Sequence, residues 1–382
     1  MGKPSLRRVA VIGVGMSKFG KQPDKTIVEL GTEACRMAIK DAGISPKAIE
    51  VSYCANQVSV QCITQEIGSK VGIVNGEMVR VENGCAGGST AVREVFYAIA
   101  TGRFDIGMAI GVDSMTTAYD GPLVGNDIDG QSGKSTPAWA AFSMRHYMNK
   151  YGVGVEPFAQ ASVKNHRNGA LNPFAMYQRE FSMEEILNSR MVCDPLTLFM
   201  ICPTTDGAAA VILCAEEKVA QFTSTPVWLA GSALKTGGYT YFWKEIDVSD
   251  ACEQAAAEAY EMAGIGPEDV DLIELHDAFA GTEIPNIEDL GVCGRGEAAH
   301  LMMEGVFDIG GKIPVNPSGG LLAQGHPLAA SGVRQVCELT WHLRDQAGKR
   351  QVKGAKVGVA HMEGGVVTGL QVGACGINIL VR

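Results

Sequence analysis

The sequence predicts an α/β protein built from two similar halves, with a loop domain inserted between them. The segment ACRMAIKDAGISPKAI at 34–49 and the segment AAAEAYEMAGIGPEDV at 255–270 share six residues at a constant offset of 221 positions. Each copy is typical of an amphipathic helix with a glycine C-cap, followed by a Pro-containing turn and an apolar strand. A chance match of two Ala-rich helices is the alternative. The shared Ala-Gly-Ile-x-Pro and the matching flanking strands favour a true repeat, and hence two α/β halves packed together.

The elements around the two copies follow the same order. An apolar strand precedes each copy, and a second strand, a turn, a helix and a further strand follow it. In the first copy these are strands 9–13 and 51–54, the turn at Cys85, a helix over 89–100 and the strand 106–112. In the second copy they are strands 227–231 and 272–275, the loop at His326, a helix over 330–344 and the strand 356–360.

The long middle segment is rich in Gly, Pro, Met and aromatic residues and ends in Asp206-Gly-Ala-Ala-Ala, a turn that leads into a buried strand. We assign 1–113 and 205–225 to the first half, 114–204 to the inserted loop domain and 226–382 to the second half. A long insertion of this kind is a candidate substrate lid. Its aromatic and methionine side chains either accommodate a bulky acyl group or simply form core.

Composition excludes several classes of function. The 382 residues are 46% hydrophobic and carry a net charge of -10, so no basic patch exists for a nucleic acid. The 11 cysteines are odd in number and lack Cys-x-x-Cys spacing, which argues against a disulfide framework or a metal site. No apolar run is long enough for a membrane span, and no signal peptide is evident. These features predict a cytoplasmic protein.

Four residues stand out as candidates for chemistry. Cys85 lies in Asn83-Gly84-Cys85-Ala86-Gly87-Gly88 just before a predicted helix, and His276, His326 and His361 each lie beside glycine or a loop signal. A helix N-terminus stabilises a thiolate, so we expect a lowered pKa for Cys85. A buried structural cysteine is the alternative. Because the Cys85 turn and the His326 loop occupy corresponding places in the two halves, a pseudo-twofold arrangement should bring them together.

The order of these motifs resembles the thiolase superfamily over essentially the whole chain. The matching elements are the cysteine turn, Asp206-Gly-Ala-Ala-Ala, His276-Asp277-Ala278-Phe279, Asn316-Pro-Ser-Gly-Gly with Gly325-His326-Pro327, and a C-terminal Gly364-Gly365. The resemblance implies a duplicated five-layer αβαβα fold. His-Asp-x-Phe is similar to the sterol-carrier-protein-type and archaeal thiolases. Two features depart from the commoner pattern: Gly-Cys-Ala-Gly surrounds the nucleophile, and His361 stands where many thiolases have a second catalytic cysteine.

The resemblance also implies roles for individual residues. Cys85 would be acylated, His326 would take its proton, His276 would serve the oxyanion hole, and His361 would protonate the enolate that leaves. Asn316 would support the His326 loop, and Ser232 would contact pantetheine. Glu363 stands where a glycine N–H usually faces the acyl oxygen, next to Gly364. Coenzyme A would be a co-substrate, with no covalently bound cofactor.

The family reading leaves the substrate and the partners open. The implied reaction cleaves a 3-oxoacyl-CoA with CoA. Within the family the chain most resembles catalytic subunits of aromatic-compound thiolases, such as the enzyme that acts on benzoylsuccinyl-CoA. The alternatives are a thiolase that acts on acetoacetyl-CoA, a condensing enzyme of the ketoacyl-synthase type, and a protein that binds acyl-CoA without cleaving it. The resemblance to the family implies a homodimer. The resemblance to this subfamily implies a separate, small partner subunit with an OB-fold and a zinc ribbon.

Overall fold

The computed structural model describes residues 6–58, 60–119, 121, 124, 128–223, 225–238, 245–365 and 372–382. Within these ranges, the strands are β1 (Val9–Met16), β2 (Val51–Ala55), β3 (Glu77–Val81), β4 (Ile106–Ser114), β5 (Met191–Cys193), β6 (Leu196–Thr197), β7 (Asp206–Ala215), β8 (Val227–Lys235), β9 (Leu272–Glu274), β10 (Val357–Gly364) and β11 (Ala374–Val381).

The α-helices in the same ranges are α1 (Ile27–Ala42), α2 (Ile63–Val71), α3 (Gly87–Ala100), α4 (Met115–Ala118), α5 (Ile128–Gln131), α6 (Thr136–Tyr151), α7 (Glu156–Ala170), α8 (Met183–Leu187), α9 (Glu216–Val219), α10 (Asp250–Ala263), α11 (Ala280–Asp289), α12 (Ala298–Met303), α13 (Gly320–Gln324) and α14 (Leu328–Leu343). Short 3₁₀ turns add to these.

The described strands form one large mixed sheet in the order β3-β2-β4-β7-β1-β8-β11-β10-β9, and β5 and β6 pair separately. Helix α1 packs on the outer face of β1 and β7, and α10 packs on β8 and β11. Between the two parts of the sheet lie α3 and α14, each in contact with strands of both parts. The layers are therefore helix, sheet, helix, sheet, helix, as the resemblance implied.

The central helices pack closely because their contact surface is made of small residues. Apart from the partly buried Trp341, α14 is buried along its whole length, as expected for a helix enclosed on all sides. A Cβ on Gly88 of α3 would lie 2.8 Å from the backbone nitrogen of Val333 in α14. Glycine therefore permits the approach of α3 to α14 that places the Cys85 turn near the His326 loop.

The predicted duplication is confirmed in the structure. Helices α1 and α10 both end at a left-handed glycine cap, Gly43 with φ 65° and Gly264 with φ 68°. Equivalent 3₁₀ turns follow at Pro46–Ala48 and Pro267–Asp269. The strand order β2-β4-β7-β1 is repeated as β9-β10-β11-β8.

The segment between β4 and β7 packs against the second half. Its buried side chains, among them Met144 and Phe158, belong to the same core cluster as Ile273 and Ile377. The two halves are joined directly as well, because Ala10 and Val11 of β1 pair with Trp228 and Val227 of β8. No helix in the described part of the chain has the length and apolarity that crossing a membrane requires.

Candidate active site

The Cys85 turn is held by contacts between backbones. Gly84 has φ 56°, and a Cβ there would lie 2.6 Å from the backbone nitrogen of Gly365. A Cβ on Gly364 would lie 2.6 Å from the backbone nitrogen of Cys85 and would also overlap the nitrogen of Ala86. The end of β10 and the cysteine turn therefore fit together only because Gly84 and Gly364 lack side chains.

The expectation of a lowered thiol pKa at Cys85 is wrong. Burial raises the pKa of Cys85 to about 12, and the nearby carboxylate of Asp113 raises it further in the same direction. Cys85 precedes α3 by two residues, with Ala86 at the N-cap. Loss of hydration therefore outweighs the helix start. The thiol needs a neighbouring base before it can attack.

His326 is oriented for that purpose by Ser331. The hydroxyl of Ser331 donates a hydrogen bond to the carbonyl oxygen of Pro327 at 3.0 Å. Because the Ser331 hydroxyl proton is engaged there, we infer that His326 Nδ1–H donates to Ser331 Oγ at 2.8 Å. The buried Nε2 then carries a free lone pair, and no protein group within the described ranges bonds to it. Burial holds the pKa of His326 well below its usual value, helped by His276 and by Arg334. A neutral imidazole is the form that accepts a proton.

His276 follows β9 and faces the same space. Its ring centroid lies 5.5 Å from that of His326, in an edge-on arrangement. The thiol of Cys85 and one ring nitrogen from each of these histidines lie within 4.8 Å of one another. Burial lowers the pKa of His276 to about 4, and Arg334 lowers it further, so this ring is also neutral. The structure thus brings together three of the four candidates.

A buried ion pair connects the segments that carry the two histidines. Arg334 of α14 contacts Glu274 of β9, and both side chains are fully buried. Ser318 bridges them, since its Oγ lies 2.7 Å from Glu274 Oε2 and 2.7 Å from Arg334 Nη1. This network fixes β9 against α14, and with it His276 against His326.

Asn316 supports a different segment from the one predicted. Its Oδ1 accepts the backbone N–H of Leu275 at 2.7 Å, and its own backbone N–H donates to Ile273 at 2.8 Å. The residue has φ 53°, a left-handed conformation that asparagine tolerates better than most. Asn316 therefore holds the end of β9 beneath His276 and makes no such bond to the His326 loop.

His361 lies on the other side of the sheet from Cys85. The predicted strand end at 360 is wrong, because β11 pairs with β10 as far as Gly364 and so places His361 inside the strand. Its neighbour Met362 packs in the cluster with Cys85, and alternate residues of a strand point to opposite faces. The His361 ring lies instead within 4.8 Å of the thiols of Cys252 and Cys375, and its Nδ1 is 3.4 Å from the backbone N–H of His276.

Two further candidates occupy contrasting positions. Glu363 lines the active-site cavity, with Oε1 accepting the Ser249 hydroxyl at 2.5 Å, and burial raises the pKa of this carboxyl. Ser232 lies within β8, fully buried, and is bonded to Asn378 at 2.7 Å. The predicted contact of Ser232 with pantetheine is wrong, because β8 extends to Lys235 and encloses the hydroxyl in the sheet.

A cavity of about 390 Å³ opens onto Cys85, His276 and His326. Much of its wall is apolar and comes from the inserted segment and the start of α11. The sequence reasoning missed several of these residues, since a lone cysteine or arginine in a loop carries no pattern. Other lining residues include Tyr119, Trp139, Arg190, Leu198, Cys202, Phe279 and Thr282.

The sequence reasoning also missed a buried polar network behind His276. Asn165 of α7 donates to Asp277 at 2.8 Å and to Glu283 at 2.5 Å, and Lys164 pairs with Glu283 at 2.8 Å. Asp277 in turn accepts the backbone N–H of Leu321 at 2.6 Å. The network ties the His276 segment to the inserted segment and to α13. Only the Asp277 next to His276 could have signalled it.

The arrangement can carry out nucleophilic acyl transfer. A partly buried thiol beside a neutral imidazole can pass its proton to that ring as it attacks a carbonyl, and the second imidazole can stabilise the resulting oxyanion. The same three atoms also lie at a spacing at which a zinc ion could bind, as do the cluster around His361 and a partly exposed cluster of His146, Glu245 and Asp247.

The family models place the chain in one class. The thiolase N-terminal domain matches residues 9–217, and the thiolase C-terminal domain-like model matches residues 240–372. The fold and the site thus define an acyltransferase that uses coenzyme A as co-substrate. The chain belongs to the thiolase family.

Individual relatives agree with this assignment. The chain is 40% identical over 371 residues to an acetyl-CoA acetyltransferase of Methanothermobacter thermautotrophicus, covering 94% of this chain and 97% of that one. It is 34% identical to the benzoylsuccinyl-CoA thiolase subunit BbsB of Thauera aromatica, covering 94% and 95%. Among solved structures, the Ltp2-ChsH2(DUF35) aldolase superposes with a TM-score of 0.86 at 26% identity, covering 99% of both chains.

Proposed function

We propose that this protein is a thiolase that cleaves a 3-oxoacyl-CoA with free CoA into two acyl-CoA molecules through an acyl-Cys85 intermediate. The proposal is supported mainly by the proximity of the Cys85 thiol to the rings of His276 and His326 in one cavity. An adjacent neutral base is what a thiol with a raised pKa requires.

The geometry supports a definite order of proton transfers. His326 Nε2 takes the Cys85 proton as the sulfur attacks the 3-keto carbon. The imidazolium that forms is stabilised by the hydrogen bond that its Nδ1–H donates to Ser331 Oγ. His276 faces the same carbon and donates to the oxyanion. Collapse of the oxyanion breaks the C2–C3 bond and leaves an enolate, which the reverse, condensing direction would use as its nucleophile.

The side chains around the cavity favour a bulky acyl group. Trp139, Leu198 and Phe279 line it, and Arg190, for which no ion pair is found in the described ranges, lies at the same wall. An aromatic ring and a free carboxylate would suit these groups, as in benzoylsuccinyl-CoA, which would give benzoyl-CoA and succinyl-CoA. The relative BbsB supports this choice, whereas the acetyl-CoA acetyltransferase supports acetoacetyl-CoA. Comparing kcat/KM for the two substrates tests it.

A small partner subunit and a homodimer belong to the same proposal. Ltp2 is named together with a DUF35 protein, and BbsB is named as a subunit. Strand β3 ends the sheet with one edge unpaired among the described residues, which suits pairing with a second copy. All eleven thiols are free, which suits a reducing compartment such as the cytoplasm. Light scattering of the purified protein, with and without the partner, tests the assembly.

The decisive experiment is intact-mass spectrometry after brief exposure to acyl-CoA and 3-oxoacyl-CoA esters. Wild type should gain the mass of one acyl group and lose it on addition of free CoA, and Cys85→Ala should gain none. The alternative is an aldolase, favoured by the similarity to Ltp2. An aldolase cleaves a 3-hydroxyacyl-CoA without an acyl-enzyme, so cleavage that survives Cys85→Ala would establish it. A protein that binds acyl-CoA without reacting would show neither adduct nor cleavage.

A further inference from the structure

We propose that Cys202 is a second catalytic thiol, which carries the proton to and from the α-carbon of the leaving acyl-CoA. The proposal rests on the thiolase reaction proposed above and assigns a step for which His361 is misplaced. Nothing in the sequence pattern marks Cys202, which lies between β6 and β7, far from the other site residues along the chain.

Cys202 is fixed at the active-site wall by the His276 segment. Its backbone N–H donates to the carbonyl of Ala278 at 2.9 Å, and the preceding Ile201 forms an antiparallel bridge with Phe279. Cys202 lines the same cavity as Cys85 and both histidines. It also packs in the same apolar cluster as Cys85. Two thiols therefore line one cavity.

The other acids of the cavity have different positions or duties. His326 receives the Cys85 proton and bonds to Ser331 through its other nitrogen. The His361 ring lies beside Cys252 and Cys375, and it is not among the residues that line the cavity. Glu363 lines the cavity as well, but its Oε1 is engaged by the Ser249 hydroxyl at 2.5 Å. Cys202 remains as a second thiol that lines the cavity together with Cys85.

The electrostatic surroundings suit a proton donor to a carbanion. Burial raises the pKa of Cys202, and Asp277 and Cys85 raise it further, so the thiol keeps its proton at neutral pH.

The steps balance over one turnover. As the C2–C3 bond breaks, its electron pair goes to C2, and the Cys202 S–H proton is transferred to this carbon to complete the first acyl-CoA. The His326 imidazolium then returns a proton to the Cys202 thiolate, and the neutral His326 takes the proton of incoming CoA, whose sulfur attacks the acyl-Cys85 carbonyl. Collapse expels the Cys85 thiolate, and the His326 imidazolium returns its proton to it.

The test separates acylation of Cys85 from chemistry at the α-carbon. Acetyl-CoA in D₂O serves as the probe: mass spectrometry reports acetyl-Cys85 on the protein and deuterium in the methyl group of the thioester. In Cys202→Ala and the closer-fitting Cys202→Ser, acetylation of Cys85 should stay within about threefold of wild type. Deuterium exchange and 3-oxoacyl-CoA cleavage should fall by about 10²- to 10⁴-fold, the usual contribution of a general acid or base.

The controls distinguish this role from a structural one. Cys193→Ala removes a partly buried thiol that does not line the cavity, and it should leave both readouts unchanged. Exchange at the wild-type rate in both Cys202 variants, or an equal loss of acetylation and exchange, would overturn the assignment. Selective loss of exchange in His361→Asn would overturn it in favour of His361. Failure of wild type to acetylate Cys85 would instead overturn the proposed function itself.

Discussion

The two sides of the active site are built by opposite means. On the side of the first half, Cys85 is positioned by backbone contacts to Gly364 and Gly365, with no ion pair in the turn within the described ranges. On the side of the second half, His276 and His326 stand on segments fastened by the fully buried pair of Glu274 and Arg334. Shape therefore determines where the nucleophile lies, and a buried ion pair determines how the histidine segments are held. Burial of the two rings, with a smaller contribution from Arg334, keeps the histidines neutral.

The largest effect should come from the charged side. Arg334→Met leaves Glu274 buried without its partner, and breaking a buried ion pair in this way costs about 3–5 kcal/mol of stability. Urea unfolding at a fixed protein concentration measures the loss. Adding Glu274→Gln to Arg334→Met should recover much of it. A single variant that loses less than about 1 kcal/mol would show that the pair does not fasten this side.

The turn side should respond in activity rather than in stability. Gly364→Ala places a methyl group against the backbone nitrogens of Cys85 and Ala86 and so displaces the nucleophile. A displacement of about 1 Å lowers rates by on the order of 100-fold. Rapid-quench measurement of acyl-Cys85 formation tests this. Gly20→Ala is the matched control, because a Cβ there meets nothing within 4 Å; equal rates in the two variants would contradict the role of Gly364.

A smaller, graded effect tests the electrostatics of the nucleophile. With a pKa near 12, the thiolate fraction of Cys85 should rise tenfold for each pH unit between 7 and 10, without a plateau. Alkylation by iodoacetamide, which consumes thiolate, should follow this slope when peptides are quantified by mass spectrometry. The exposed Cys62 provides an internal reference. A plateau near pH 8 would mean that the helix start governs the thiol after all.

The sequence predicted what depends on repetition and order. The matching helices at 34–49 and 255–270 were sufficient for the duplication, and corresponding positions in the two halves were sufficient for the meeting of Cys85 with His326. The burial of Cys85 could not be predicted from repetition and order. The raised pKa of Cys85 depends on side chains from several segments that close over the turn only in the folded protein.

The sequence also did not predict where strands end or which isolated residues line the site. The apolar run before His361 gave no sign that β11 would extend the pairing by four residues and turn this ring to the far face. For the same reason the predicted strand 227–231 stopped short of Ser232, which lies inside β8. Cys202 belongs to no periodic element, so only its contact with Ala278 reveals its position.

The pairing of β1 with β8 has a consequence for how the molecule folds. A repeat whose halves share hydrogen bonds no longer consists of two independent folding units, since either half alone would expose an unpaired strand at the junction and a half-covered central helix. Unfolding should therefore be cooperative across the junction. Neither half alone would hold a complete site, because Cys85 comes from one half and His276 and His326 come from the other.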